Sequence, residues 1–380
     1  MATSTQKKPC RRSSRLMAKD EAKKQICVKP QEIHLTYDVL RIIFQHLSYR
    51  DLINVSQVSR FWSEAAYLEM QKRNEPIGFM EHCKTLRESL EPFLEKVLDI
   101  RIQPYISFFF VCSDTIYQHM KQPLVANTFR ETQKNSIIML HSEGVIAENL
   151  EIEGKSKHVV CAFLPKISNV SIMTFHVTKL NSAFKEGEAE FIRALQQLPP
   201  PDEKISTCLI LFCNSIDNYH LVSLLNSINS CSGKISSLWG GLVRNCYIYE
   251  KTRPALKSLD CLAILITGHM KTWSTILDRK CNTKQKVEEH LKLWKQHLQL
   301  RKYSIGYMFA CHARGTCWYR KQNVESSIFK SLFPDLHLVG CFGYGEFGKY
   351  TGMTKVHQTK DINKLCYTQY STIFMILTYD

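Results

Sequence analysis

Tyr307-Met-Phe-Ala-Cys311-His312-Ala-Arg314-Gly315 puts a thiol, an imidazole and a guanidinium at the end of an apolar run. Those groups could support nucleophilic chemistry, with the Arg314 cation lowering the thiol pKa of Cys311. Cys311 and His312 are adjacent, however, and neighbouring side chains on a strand point to opposite faces. A catalytic pair would need a histidine from elsewhere, so the residues favour a small buried cysteine closing a core strand.

A second stretch, Gly340-Cys-Phe-Gly343-Tyr-Gly345-Glu346-Phe-Gly348, contains a formal G-x-G-x-x-G at 343, 345 and 348. A dinucleotide site needs a helix after that loop, with its N-terminus on the pyrophosphate. Lys349 to His357 is rich in Thr, Gly and Val and reads as non-helical, and the 32 residues after Gly348 are too few for the rest of such a unit. The pattern excludes a nicotinamide cofactor, and no cofactor is expected.

The 15 cysteines are scattered without a C-x-x-C. Cys208 with Cys213, and Cys311 with Cys317, are the nearest approaches to a spaced pair, and neither has a matching second pair. A metal site is therefore not expected. With no apolar leader visible, the thiols read as reduced and intracellular. His290 and His297 read as neutral surface residues.

These groups need elements to hold them. The 380 residues are 44% hydrophobic, enough for a real core and for two or three domains. No apolar run is long enough to span a bilayer as a helix. Apolar runs at 106–112, 136–140, 159–164, 206–212, 259–267, 304–310, 336–339 and 372–378 read as strands. Helices are expected at 84–98, 188–198, 219–230, 284–301 and 324–332, and a polar loop at 151–158. Strand, helix, strand and a glycine turn occur at 206–241 and again at 304–345, which suggests internal duplication. The class expected is α+β, with mixed α/β segments after a small helical N-terminal module.

That module is residues 32–70. Val39, Leu40, Ile43, Phe44 and Leu47 share one helical face. Thr36 is placed to cap the first helix, and Ser48 with Asp51 suits a variant capping box on the second. Leu52 and Val55, then Val58, Phe61 and Trp62, continue one apolar surface. About 35 residues cannot enclose all of these side chains, so some must face a partner or the rest of the chain.

The net charge of +15 is concentrated at the start, where nine Lys or Arg in residues 1–29 face Asp20 and Glu21. Residues 1–31 read as a disordered basic tail suited to nuclear import, giving a location in nucleus and cytoplasm. Without an aromatic residue for base stacking, the tail does not suit specific nucleic-acid binding. Residues 71–83, with Pro76-Ile77-Gly78, read as a linker.

Leu35, Asp38-Val39-Leu40, Ile43-Phe44, Leu47, Asp51-Leu52, Val55-Ser56, Val58-Ser59-Arg60 and Trp62 resemble the F-box motif, with Thr36 in place of the usual proline. The resemblance implies docking onto Skp1 through Leu35, Leu40, Ile43, Leu47, Leu52, Val55 and Trp62. Through Skp1 it implies cullin-1 and a RING protein.

Phe309-Ala310-Cys311, Arg314-Gly315, Phe333-Pro334, Gly340, Phe342-Gly343 and Gly345-Glu346-Phe347-Gly348 resemble the C-terminal part of FIST domains, and Gly240-Gly241 matches a glycine pair of their N-terminal half. That resemblance implies a FIST region divided into parts at 84–270 and 271–380. It also implies a ligand or substrate site at Cys311, Arg314, Gly315, Gly343, Gly345 and Glu346, with Arg314 and Glu346 placed to grip a zwitterion. An F-box followed by a FIST domain implies a non-catalytic substrate receptor of an SCF-type ubiquitin ligase. The alternatives are a small-ligand sensor and a cysteine-based enzyme.

Overall fold

The computed structural model describes residues 35–83, 90–122, 136–177, 182–214, 218–250, 253–351 and 365–380. The basic tail, the start of the helix expected from 84 and residues 352–364 lie outside them.

Three short helices open the described chain: α1 (Tyr37–Phe44), α2 (Tyr49–Val55) and α3 (Arg60–Lys72). The Ser48 hydroxyl accepts the Asp51 amide at 3.1 Å, which is the N-cap half of the expected box, and donates to the Asp51 carboxylate at 2.8 Å. Ser59 caps α3 by accepting from the Trp62 amide at 3.2 Å. Thr36 precedes α1 with extended backbone but makes no side-chain cap.

Among the described residues eighteen strands follow, in three six-stranded mixed sheets, confirming the mixed class. They form three units of one plan. The first runs β1 (Ile77–His82), α4 (Glu91–Leu98), β2 (Pro104–Val111), α5 (Asp114–Met120), β3 (Ser136–His141), the hairpin β4 (Gly144–Ala147) and β5 (Leu150–Glu153), then β6 (His158–Pro165). The second repeats it with β7 (Val170–Val177), α6 (Ser182–Gln197), β8 (Ser206–Cys213), α7 (Asn218–Ser230), β9 (Ser237–Leu242), β10 (Asn245–Glu250), β11 (Arg253–Leu259) and β12 (Cys261–Gly268). The third has β13 (Lys271–Leu277), α8 (Lys284–Lys295), β14 (Tyr303–Cys311), the short α9 (Gly315–Tyr319), α10 (Val324–Leu332), β15 (His337–Gly343), β16 (Glu346–Gly348), β17 (Cys366–Thr368) and β18 (Thr372–Tyr379). The division expected at 270/271 falls between the second and third units.

Pairing follows the repeat. β2 with β3, β8 with β9, and β14 with β15 run parallel, while β6, β12 and β18 return antiparallel. Each hairpin leaves its own unit. β4–β5 joins β15, β10–β11 joins β3, and β16–β17 joins β9, so the units exchange hairpins in a closed cycle.

Alternation along the strands builds the layers. Phe108 and Phe110 of β2, Ile210 and Phe212 of β8, and Tyr307 and Phe309 of β14 meet with Trp239 in one shared core. The intervening Phe109 and Val111, Leu209 and Leu211, and Met308 and Ala310 pack under each unit's own helices. Strands buried on both faces read as continuous apolar runs, which is why the sequence marks them.

The expected linker 71–83 is corrected by this topology: α3 reaches Lys72, and β1 pairs along β6 from Ile77↔Phe163 to His82↔His158. A Cβ on Gly78 would lie 2.8 Å from Val339, so this glycine permits strand packing rather than a turn. Within the polar stretch expected from 151, β5 pairs with β4. The helix expected over 284–301 stops at Lys295. Cys213 and Cys261 are disulfide-bonded, correcting the expectation of thiols throughout. They oppose each other at the end of the β8–β12 ladder, a proximity that a sequence separation of 48 hides.

Candidate functional site

The helical module divides its apolar residues between two faces. Leu40, Phe44, Leu52, Ala65 and Ala66 form its small core, with Leu35, Leu47, Val55 and Trp62 half-buried against it. Trp62 meets Phe44 edge-on at 5.6 Å. Val39, Ile42 and Ile43 point outward from α1, and Val58 and Phe61 are exposed at the start of α3. Of the residues read as partner contacts, Leu40 and Leu52 are fully enclosed and act as core, whereas Ile43 is open. Ile42 was missed, although the signal was present. Apolar residues at 39, 40, 42, 43 and 44 cover more of α1 than one internal face can use.

Arg73 seats this module on the sheets. Its buried guanidinium pairs with Glu69 at 3.0 Å and donates to the carbonyls of Phe44 (2.6 Å), Leu47 (2.7 Å) and Arg101 (3.0 Å). Tyr49 N–H donates to Ile100 O at 3.0 Å, and the Tyr379 hydroxyl donates to Asn74 O at 2.8 Å. The outward surface of α1 is therefore presented from a fixed base.

The second expected site behaves differently. The Arg314 side chain is fully enclosed. Its Nε and Nη2 donate to Glu325 at 2.8 and 2.6 Å, and the guanidinium also reaches the carbonyls of Asp278, Cys281 and Tyr370 and the hydroxyl of Tyr319. With those donors engaged inside the protein, Arg314 cannot grip a zwitterion with Glu346. Glu346 is also enclosed, accepting from the Ser371 amide at 3.1 Å and hydroxyl at 2.7 Å. Burial raises its carboxyl pKa to about 7. The Cys311 thiol is pushed upward, by burial first and then by the Glu346 carboxylate, so the expected activation by Arg314 is not found.

The glycine loop is explained by backbone packing. A Cβ on Gly241 would lie 2.2 Å from Gly345 O, and one on Gly343 would lie 2.4 Å from Leu242 O. Leu242 N–H donates to Gly345 O at 2.8 Å, and Tyr344 N–H to Leu242 O at 3.0 Å. The glycines thus let the second and third units exchange backbone hydrogen bonds where β16 crosses. Gly315 similarly makes room for the Glu153 carboxylate, which accepts from the Thr316 amide at 2.7 Å and hydroxyl at 2.6 Å. Beside it lies a cavity of about 300 Å³ lined by Leu150–Glu153, Thr316, Gln322 and Asn323.

Among the described residues, no three His, Cys, Asp or Glu side chains gather to hold a metal, and no helix is long and apolar enough to cross a membrane.

The chain is similar to a crystal structure of cyanuric acid hydrolase from A. caulinodans, at 9% identity and a TM-score of 0.36, over 80% of this chain and 99% of that one. Over 227 residues it is 26% identical to "F-box only protein 22" from Homo sapiens, and equally to that from Pongo abelii, matching 56% of this chain and 54% of the relative. The chain therefore spans about half the length of the curated relatives it matches. Residues 33–68 match the F-box domain family, and the helical module of α1 to α3 is an F-box domain.

Proposed function

We propose that this chain is the substrate-recognition subunit of an SCF (Skp1–cullin–F-box) E3 ubiquitin ligase. The carrying observation is the division of apolar residues in the F-box: Leu40, Phe44 and Leu52 complete an internal core while Val39, Ile42 and Ile43 stay exposed. An exposed apolar cluster on a small helical module suits a partner surface. Skp1 covers that surface and bridges to cullin-1 and a RING protein. The sheet-rich residues, read as a FIST region, hold the protein to be modified. The role requires no catalytic group in the chain, because holding substrate lysines near the charged ubiquitin carrier raises their effective concentration. The basic tail directs import into the nucleus, while the ligase acts in both nucleus and cytoplasm.

The test is assembly. The full chain mixed with purified Skp1, cullin-1 and RING protein should co-elute with all three on size exclusion. A chain lacking residues 35–72 should elute apart from them. Co-elution of the truncated chain, or none for the intact one, would overturn the reading.

A further inference from the structure

Three loops converge on the buried Arg314 guanidinium. Nη1 donates to the carbonyls of Asp278 at 3.2 Å and Tyr370 at 3.0 Å, and Nη2 to that of Cys281 at 2.8 Å. The cation thereby fixes the β13–α8 loop and the turn before β18, and α9 begins at the next residue.

The tips of those loops carry exposed Arg279, Lys280, Arg320, Lys321 and Tyr370. The Arg279 guanidinium lies 4.3 Å from the centroid of the Tyr370 ring, and Trp318 stacks with the same ring at 6.3 Å. None of the four cations forms an ion pair with another described residue. The neighbouring Asp278 carboxylate is turned into its own loop, accepting the Lys280 amide at 2.9 Å.

Backbone strain collects here too. Arg320 and Tyr370 have φ of 53° and 58°, a left-handed conformation that is strained for a non-glycine residue. The Arg314 bond to the Tyr370 carbonyl helps to hold that conformation.

We propose that this cationic, aromatic platform docks an acidic peptide segment of the protein that the chain recruits. The proposal rests on the substrate-receptor reading and names the chemistry of its substrate. Four cations on fixed loops, unpaired among the described residues, attract carboxylates, and Arg279, stacked on a ring, keeps its N–H edge for a bidentate contact. Single-stranded nucleic acid fits less well, because Arg279 and Trp318 already lie against the Tyr370 ring that a base would stack on.

The experiment uses the full chain and fluorescence anisotropy with a labelled peptide of alternating Glu and Tyr. A Lys–Tyr peptide and an oligothymidylate of equal length serve as comparisons. The Glu–Tyr peptide should bind best, and R279E/K280E/R320E/K321E should weaken it at least about tenfold. Tyr370→Asn, which tolerates the left-handed backbone, should weaken it without reversing charge. Unchanged affinity in the charge-reversed chain, or tighter binding of oligothymidylate, would overturn the proposal. Skp1 capture by the same preparations separates the two claims. Capture lost with peptide binding kept refutes the receptor reading and supports the platform. Capture kept with charge-insensitive peptide binding refutes the platform alone.

Discussion

Arg314 and Glu325 form an ion pair closed to solvent, with Nη2 2.6 Å from Oε1 and side chains 0% and 1% exposed. Tyr319 completes it, its hydroxyl accepting from Arg314 and donating to Glu325, both at 2.5 Å. A charge pair this deep is held by hydrogen bonds to both partners, so losing one member strands the other.

Arg314→Ala should therefore destabilise the chain by about 3–5 kcal/mol in urea unfolding. Replacing both members by apolar residues, Arg314→Met with Glu325→Leu, should cost less than Arg314→Ala alone. A near-wild-type unfolding midpoint for Arg314→Ala would return this residue to the list of free ligand-binding groups.

Glu346 gives a pH signature. Its folded pKa is raised by burial to about 7, so the folded state holds the proton more tightly than the unfolded state. The stabilisation is complete below the unfolded value near 4.5 and is lost as pH rises through about 7. Glu151, also raised to about 7 by burial and by Glu325, acts in the same direction. Glu346→Gln should raise the melting temperature more at pH 8 than at pH 5, flattening the profile. An equal change at both values would contradict the assignment.

Cys311 is 5% exposed and its thiol is shifted upward, whereas Cys317 is exposed. Iodoacetamide at neutral pH should label Cys317 of the folded chain well before Cys311, as read by peptide mass spectrometry. Faster labelling at Cys311 would revive a cysteine-based activity.

Gly241→Ala should break the crossing of β16 over β9, because the added carbon meets Gly345 O at 2.2 Å and the Phe309 ring at 2.3 Å. The expected result is a loss of roughly 1–3 kcal/mol, measured by urea unfolding. Wild-type stability would show that the two units do not approach as described.

The legible parts of this fold were those with local signals. β2, β8, β12, β14 and β18 stand out because both their faces are buried. The hairpins were missed: β4, for instance, is four residues long and finds its partner in β15 of another unit. The repeat showed in the second and third units through Gly240-Gly241 and Gly343, but the first has Leu140-His141 at the end of β3 and hid its kinship. Charges misled in the opposite way. Arg314 and Glu346 beside glycines resembled a binding site, and only burial reveals that Arg314 is answered by Glu325 and one Glu346 oxygen by Ser371.

The central claim is that the exposed face of α1 binds Skp1. Titration calorimetry of Skp1 into wild type and into an Ile42→Asp, Ile43→Asp variant tests it directly, with circular dichroism melts confirming that both are folded. The account predicts one-to-one binding by wild type and none by the variant, whose altered residues are exposed and leave the Leu40–Phe44–Leu52 core intact. A folded wild-type chain that ignores Skp1, or a variant that binds it equally well, would contradict the account.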